Sequence, residues 1–263
     1  MSYTNTRLPI DYHNNINDVS TNHTMTGITI LIVIGCVWAF RPRKPTVEYK
    51  YITQNVGSAD IPTLTMIIGP MFAGKTGEVI RRINRFKYQQ KRCLIIKHSF
   101  DTRFNPYHNK HALQLTTHDY TSFSISDSQD LFDLRYCNCL DEIDSLTMTK
   151  FDCIVLEEAH MFGNKWWGFV QNCLLQAKKS IIVSTIDSYA PTEPGQLPHP
   201  IPDLSQSLIW AQKIIKFCSV CCLCRQPNAV FSIRKTANKD LIDVGGADKY
   251  QPYCVQCFTN SHK

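Results

Sequence analysis

At 263 residues, 43% hydrophobic and 19% charged, the chain is long enough for one sizeable α/β domain plus a small accessory module, and short for two full NTPase domains. Its net charge of +6 suits a protein that handles phosphates and is too small and too spread out to argue for nucleic acid. The twelve cysteines do not have the spacing of a secreted disulfide framework; two C-x-x-C pairs near the C-terminus point instead to a metal site in a reducing compartment.

Residues 1–24 are polar and without usable period, the pattern of a disordered tail. Residues 25–40 carry no charge and are followed at once by Arg41, Arg43 and Lys44. A membrane span needs ~20 apolar residues, so this run is short. Two readings stay open: a membrane anchor with snorkelling flanks and everything after Arg41 on the cytoplasmic side, or a β-rich arm or buried helix. With no basic stretch before it, the run is not an ordinary signal peptide. Residues 41–63, with Pro42, Pro45 and Pro62, read as a linker.

From there the texture changes. Leu64 to Ile68 predicts a short buried strand running into Gly69. Thr76 to Gln90 has helical spacing, with Val79, Ile80, Ile83 and Phe86 on one face. Cys93 to Ile96 predicts a second strand, and residues 101–149 predict loops with one or two short elements. Asp152 to Leu156 predicts a third strand, Lys165 to Lys178 a helix, Ser180 to Ile186 a fourth strand and Lys213 to Phe217 a fifth. Strands alternating with helices imply an α/β fold with a parallel sheet covered on both faces.

Gly69, Pro70, Met71, Phe72, Ala73, Gly74, Lys75 and Thr76 fit G-x-x-x-x-G-K-[ST]. Such a loop turns backbone N–H groups inward onto phosphate oxygens, its lysine reaches the β- and γ-phosphates, and its Thr hydroxyl ligates Mg²⁺. The strand before and the helix after are the required context. The third strand ends in two carboxylates, Glu157 and Glu158. In P-loop folds an acid there serves Mg²⁺, which leaves its neighbour free to take the proton of an acceptor hydroxyl. Cys221 and Cys224, then Cys254 and Cys257, have the spacing of a closed structural zinc site, although Cys218 with Cys221 is also C-x-x-C. The stretch between the pairs has too few aromatic and basic clusters for nucleic acid. Glu-Glu-Ala-His at residues 157–160 is also the acidic box of a DExH helicase, but the chain after Lys75 is too short for a second motor lobe.

Read with Arg81, Arg82 and Phe86, Cys93 to Lys97, Asp101 to Phe104, Thr117 to Asp119, and Gly-Gly-Ala-Asp-Lys-Tyr at 245–250, these motifs closely resemble the type II thymidine kinases, over roughly Leu64 to Phe258. The resemblance implies a P-loop kinase domain over 64–217 and a zinc-bearing lasso over 218–263. It implies ATP, Mg²⁺ and structural Zn²⁺, thymidine as acceptor, and a cytoplasmic homotetramer. Gly69 to Thr76 would hold the triphosphate, with Asp101, Thr102 and Arg103 on the phosphate side and Arg103 stabilising the moving phosphoryl group. Glu158 matches the general base, and Glu157 stands where the family usually has the Asp that assists Mg²⁺. Met71, Met161, Ser232 and Tyr250 match positions around the nucleoside, clasped by the backbone of Leu241, Ile242, Asp243, Val244 and Gly245. His160 replaces a common Gln. The clearest departure is Asp187 to Gly195, where the family's base-stacking Phe falls on Ala190 or shifts to Tyr189. That leaves two other classes in play, an ATPase or helicase-like protein and a nucleotide-binding relative without kinase activity.

Overall fold

The computed structural model describes residues 61–101, 114–117, 122–124, 130–193 and 196–261. The expected tail, the apolar run at 25–40, most of the linker, and Thr102 and Arg103 lie outside these residues.

In chain order the strands are β1 (Leu64–Ile68), β2 (Cys93–His98), β3 (Gln114–Thr116), β4 (Ser122–Ser124), β5 (Phe132–Cys137), β6 (Cys153–Leu156), β7 (Ser180–Thr185), β8 (Ser188–Tyr189), β9 (His199–Pro200), β10 (Lys213–Lys216), β11 (Phe231–Arg234) and β12 (Tyr250–Tyr253). The helices are α1 (Lys75–Tyr88), α2 (Ser145–Thr149), α3 (Trp166–Leu175), α4 (Leu204–Trp210) and α5 (Val255–Ser261). Six strands form one sheet in the order β10-β1-β7-β6-β2-β5, every pair parallel.

β1 and β6 are buried along their whole length because both faces of the sheet are covered. Ile67, Ile95, Val155 and Ile182 point to one face, where Val79, Ile80 and Ile83 of α1 pack on them. Met66, Leu94, Ile154 and Ile181 point to the other and meet Trp166, Val170 and Cys173 of α3. That period of two within each strand, set against the 3.6-residue period of α1, sorts the side chains into two cores.

All five expected strands are present, as are both expected helices. The stretch expected to hold loops with one or two short elements contains a sheet strand, β5, which pairs with β2 over its full length. Phe132 and Leu134 go inward while Asp133, Arg135 and Tyr136 face out, as an edge position allows. The short helices α2 and α4 were not foreseen either; Asp144 caps α2 by accepting from the Thr147 N–H at 2.5 Å. At the C-terminal end, β11 and β12 form an antiparallel ribbon followed by α5. No helix among the described residues is long and apolar enough to cross a membrane.

This order puts the carboxyl ends of β1 and β6 one strand apart, with β7 between them. In an open parallel sheet ligands sit in the crevice beyond those ends.

Candidate active site

The phosphate loop is built at the end of β1. Gly69 has φ 152°, and a Cβ there would lie 2.7 Å from the Phe217 carbonyl oxygen, so only glycine lets the chain leave the strand so close to β10. Gly74, at φ 86°, turns the chain into α1. Lys75 is buried and its Nζ donates to the Pro70 carbonyl at 2.9 Å, folded back across its own loop. Met71, Phe72, Ala73, Gly74, Lys75 and Thr76 line a cavity of about 200 Å³ with Gly77, Thr117 and Glu158; Gly69 and Pro70 lie behind it.

The end of β6 supplies the acids. The Thr76 hydroxyl donates to Glu157 Oε1 at 2.6 Å. Glu157 Oε2 is buried without a hydrogen bond of ordinary geometry among the described residues. Burial and the adjacent Glu158 push the Glu157 carboxyl above the usual range, against the opposing effects of Lys97, Thr76 and Ser184. A hydroxyl beside a buried, under-coordinated carboxylate is a donor set suited to a hydrated Mg²⁺, so the residues fit that ion.

Glu158 adopts the left-handed conformation, φ 53° and ψ 48°, at the start of the 3₁₀ turn Ala159–Phe162. For a non-glycine residue this costs about 1–2 kcal/mol. Its Oε2 stands 3.4 Å from His160 Nδ1. The His160 carbonyl accepts from the Tyr189 hydroxyl at 3.1 Å, and the two rings meet edge to face.

A second cavity opens beyond Glu158. Met71, Met161, Tyr189, Ala190, Ser232, Leu241, Ile242, Asp243, Val244, Gly245 and Tyr250 all line it, together with Glu158, His160 and Ile186. Every residue expected around a nucleoside is thus brought to one place. Met71 and Glu158 line both cavities. The Ser232 hydroxyl accepts from the Met71 N–H at 2.9 Å, tying the phosphate loop to β11. The clasping segment is held by the Tyr250 hydroxyl, which donates to the Asp243 carbonyl at 2.7 Å, and by an ion pair of Lys249 with Asp243.

Asp101 is absent from the lining of the phosphate cavity. Its carboxylate is held at 2.8 Å by Lys97, and both side chains are buried. Burial alone would lower the Lys97 ammonium; Asp101 and Glu157 hold it above its ordinary value. Lys97 is the residue with no role foreseen, although a lysine inside an apolar strand is itself a signal, since a buried charge needs a partner. Thr117 and His160 also join the site, and nothing in their spacing announces them.

The sulfur atoms of Cys221, Cys224, Cys254 and Cys257 lie within 4.8 Å of one another. Cys218 is exposed and Cys222 points toward Gln251, so the ambiguity over pairs closes on the first four. Burial would raise the Cys221 thiol, but N–H groups of Cys224, Cys254 and Leu223 bring it down to about 6. Cys257, donating to Cys254, is pushed up to about 12. The four soft donors, gathered this closely, fit tetrahedral Zn²⁺.

A parallel sheet with a lysine-bearing phosphate loop on one strand and acids on the next strand but one defines a P-loop nucleotide-binding protein. The thymidine kinase family model matches residues 62–258, and the chain belongs to that family. It is 32% identical to a thymidine kinase of Acanthamoeba polyphaga mimivirus, over 76% of this chain and 83% of that protein. It is 32% identical to thymidine kinase 1 of Dictyostelium discoideum, over 80% and 81% of the two chains. A raccoon poxvirus thymidine kinase is 30% identical, over 75% and 97%.

Proposed function

We propose that this chain transfers the γ-phosphoryl group of ATP to the 5′-hydroxyl of thymidine, giving dTMP and ADP. The observation that carries the reading is the position of Glu158, which lines both the phosphate cavity and the cavity gathered around Met71, Tyr189 and Tyr250. A carboxylate at that junction can accept the 5′-hydroxyl proton as the oxygen attacks the γ-phosphorus and the bond to ADP breaks.

Lys75 would leave the Pro70 carbonyl to pair with the β- and γ-phosphates, while the loop N–H groups hold their oxygens. Bound Mg²⁺, held through Thr76 and Glu157, would supply charge neutralisation between the two phosphates. Lys97 keeps Glu157 and Asp101 in place. His160 Nδ1 lies beside the Glu158 carboxylate, and the Tyr189 hydroxyl holds the His160 carbonyl. Arg103 is assigned to the moving phosphoryl group on the resemblance alone. The nucleoside cavity is bounded on one side by the 241–245 segment.

The same reading divides the chain into a kinase domain at 64–217 and a zinc lasso at 218–263, with structural Zn²⁺ on the four cysteines, and makes it a cytoplasmic homotetramer; light scattering of the purified chain tests the last point. The reaction is tested with Glu158→Gln. Thymidine phosphorylation should fall by about 10²–10⁴ in kcat while ATP affinity is retained. Near-normal turnover would remove Glu158 from this role.

A further inference from the structure

At the opposite end of the sheet, where the strands begin, lies a cleft of about 610 Å³ that shares no residue with the two cavities above. Arg82 from α1, Lys91 from the turn before β2, and Lys178 and Lys179 from the turn between α3 and β7 line it. They face one carboxylate, Asp152, which already accepts from the Arg92 N–H at 2.7 Å. Thr63 and Thr65 add hydroxyls.

Basic residues near helix C-termini ordinarily answer the carbonyl end of the helix dipole, and that explains the lysines in part. It does not explain Arg82, which sits in the middle of α1. Arg82 Nε is paired with Glu78 at 2.9 Å, yet Nη2 is buried and meets no hydrogen-bond acceptor among the described residues. A buried guanidinium N–H without an acceptor is unfavourable, because its lost hydration is not repaid. Positive charge accumulates around it: burial, then Arg82, Arg81 and Arg85, press the Lys213 ammonium below its ordinary value. Lys178 holds a left-handed backbone, φ 54°, at the turn that brings the two lysines to the cleft. Three separate elements thus converge cations on an open cleft with one donor left over.

We propose that this cleft binds a small ligand carrying two or more phosphate charges, at a site distinct from the phosphate loop. Convergent Lys and Arg donors with neighbouring hydroxyls are the chemistry that recognises such an anion, and Arg82 Nη2 would gain its missing acceptor.

The test uses the full chain with the phosphate loop saturated by magnesium ADP, titrated calorimetrically with inorganic pyrophosphate at low salt. The wild type should take up one equivalent, with affinity falling as salt is added. The double variant Lys178→Asn with Lys179→Ser, both near the surface, should bind pyrophosphate about tenfold more weakly with unchanged basal turnover. Arg82→Gln should weaken it as well. No binding by the wild type beyond the ADP site, or equal affinity in wild type and the double variant, would overturn the proposal. Because binding is read without turnover, the result is independent of the kinase reading.

Discussion

Glu158 and Lys97 stand at the two ends of one electrostatic arrangement. The left-handed backbone of Glu158 ends the regular run of β6: Glu157 reaches Thr76, and Glu158 turns to the junction of the two cavities. Lys97 supplies positive charge beside two buried acids, Asp101 and Glu157. Lys97→Met would remove positive charge from beside Asp101 and Glu157. Removing one partner of a buried pair costs about 3–5 kcal/mol, so the variant should melt well below the wild type. Lys97→Arg should recover most of the melting temperature, which separates loss of charge from loss of packing. The phosphate-loop residues and both glutamates were legible because a short motif names them. The tie from Lys97 to Asp101 was not, because four residues apart on a strand end and the turn after it has no motif. His160 was visible only as a departure, and its place 3.4 Å from Glu158 needed coordinates.

Among the elements, the contact between β1 and β10 and the tie between the phosphate loop and β11 decide how the loop is held. Gly69→Ala would put a Cβ 2.7 Å from a backbone oxygen of Phe217 at a positive φ, where neither side can yield cheaply. Strain of about 1–3 kcal/mol is expected, read as a lower unfolding midpoint together with weaker ATP binding. Ser232→Ala acts from the other side. It strips the Met71 N–H of its acceptor, at a cost of about 1–3 kcal/mol for a buried donor left unpaired. Since Met71 lines both cavities, KM should rise for ATP and thymidine together; a rise for thymidine alone would mean that Ser232 acts only on the nucleoside side. The elements followed the sequence where the signal was strong. β1, β2, β6 and β7 are apolar runs bounded by polar turns, and α1 has a clean helical face. β5 was hidden because an edge strand alternates with Asp133 and Arg135 and looks like loop. Its place became clear only through its pairing with β2, a tertiary fact.

Over the whole molecule, the cysteine quartet and the nucleoside cavity form one mechanical unit. Cys221 and Cys224 lie in the turn before β11, and Cys254 and Cys257 at the start of α5, so the cluster ties the two strands together at one end of the β11–β12 ribbon, opposite the 235–249 connection. From that ribbon hang Ser232, the segment 241–245 and Tyr250, half of the nucleoside cavity. The apolar clusters of the ribbon are small, Cys221, Ala229 and Cys254 around the sulfur atoms and Ile233, Tyr253 and Phe258 beside them. A metal held by the four thiolates would contribute folding free energy to this part of the chain first. The phosphate loop, by contrast, is carried by β1 and α1 in the large core, with Ser232 and the Ser219 hydroxyl, donating to the Phe72 carbonyl at 3.1 Å, as its links to the ribbon. Stripping the metal with a strong chelator, or substituting Cys224→Ser, should thus act unequally. KM for thymidine is expected to rise about tenfold or more as the clasp loosens, while affinity for ATP changes by a much smaller factor. Nucleotide binding by fluorescence beside steady-state kinetics gives both numbers on one preparation. Equal losses on the two sides would mean that the cluster supports the whole sheet rather than the clasp.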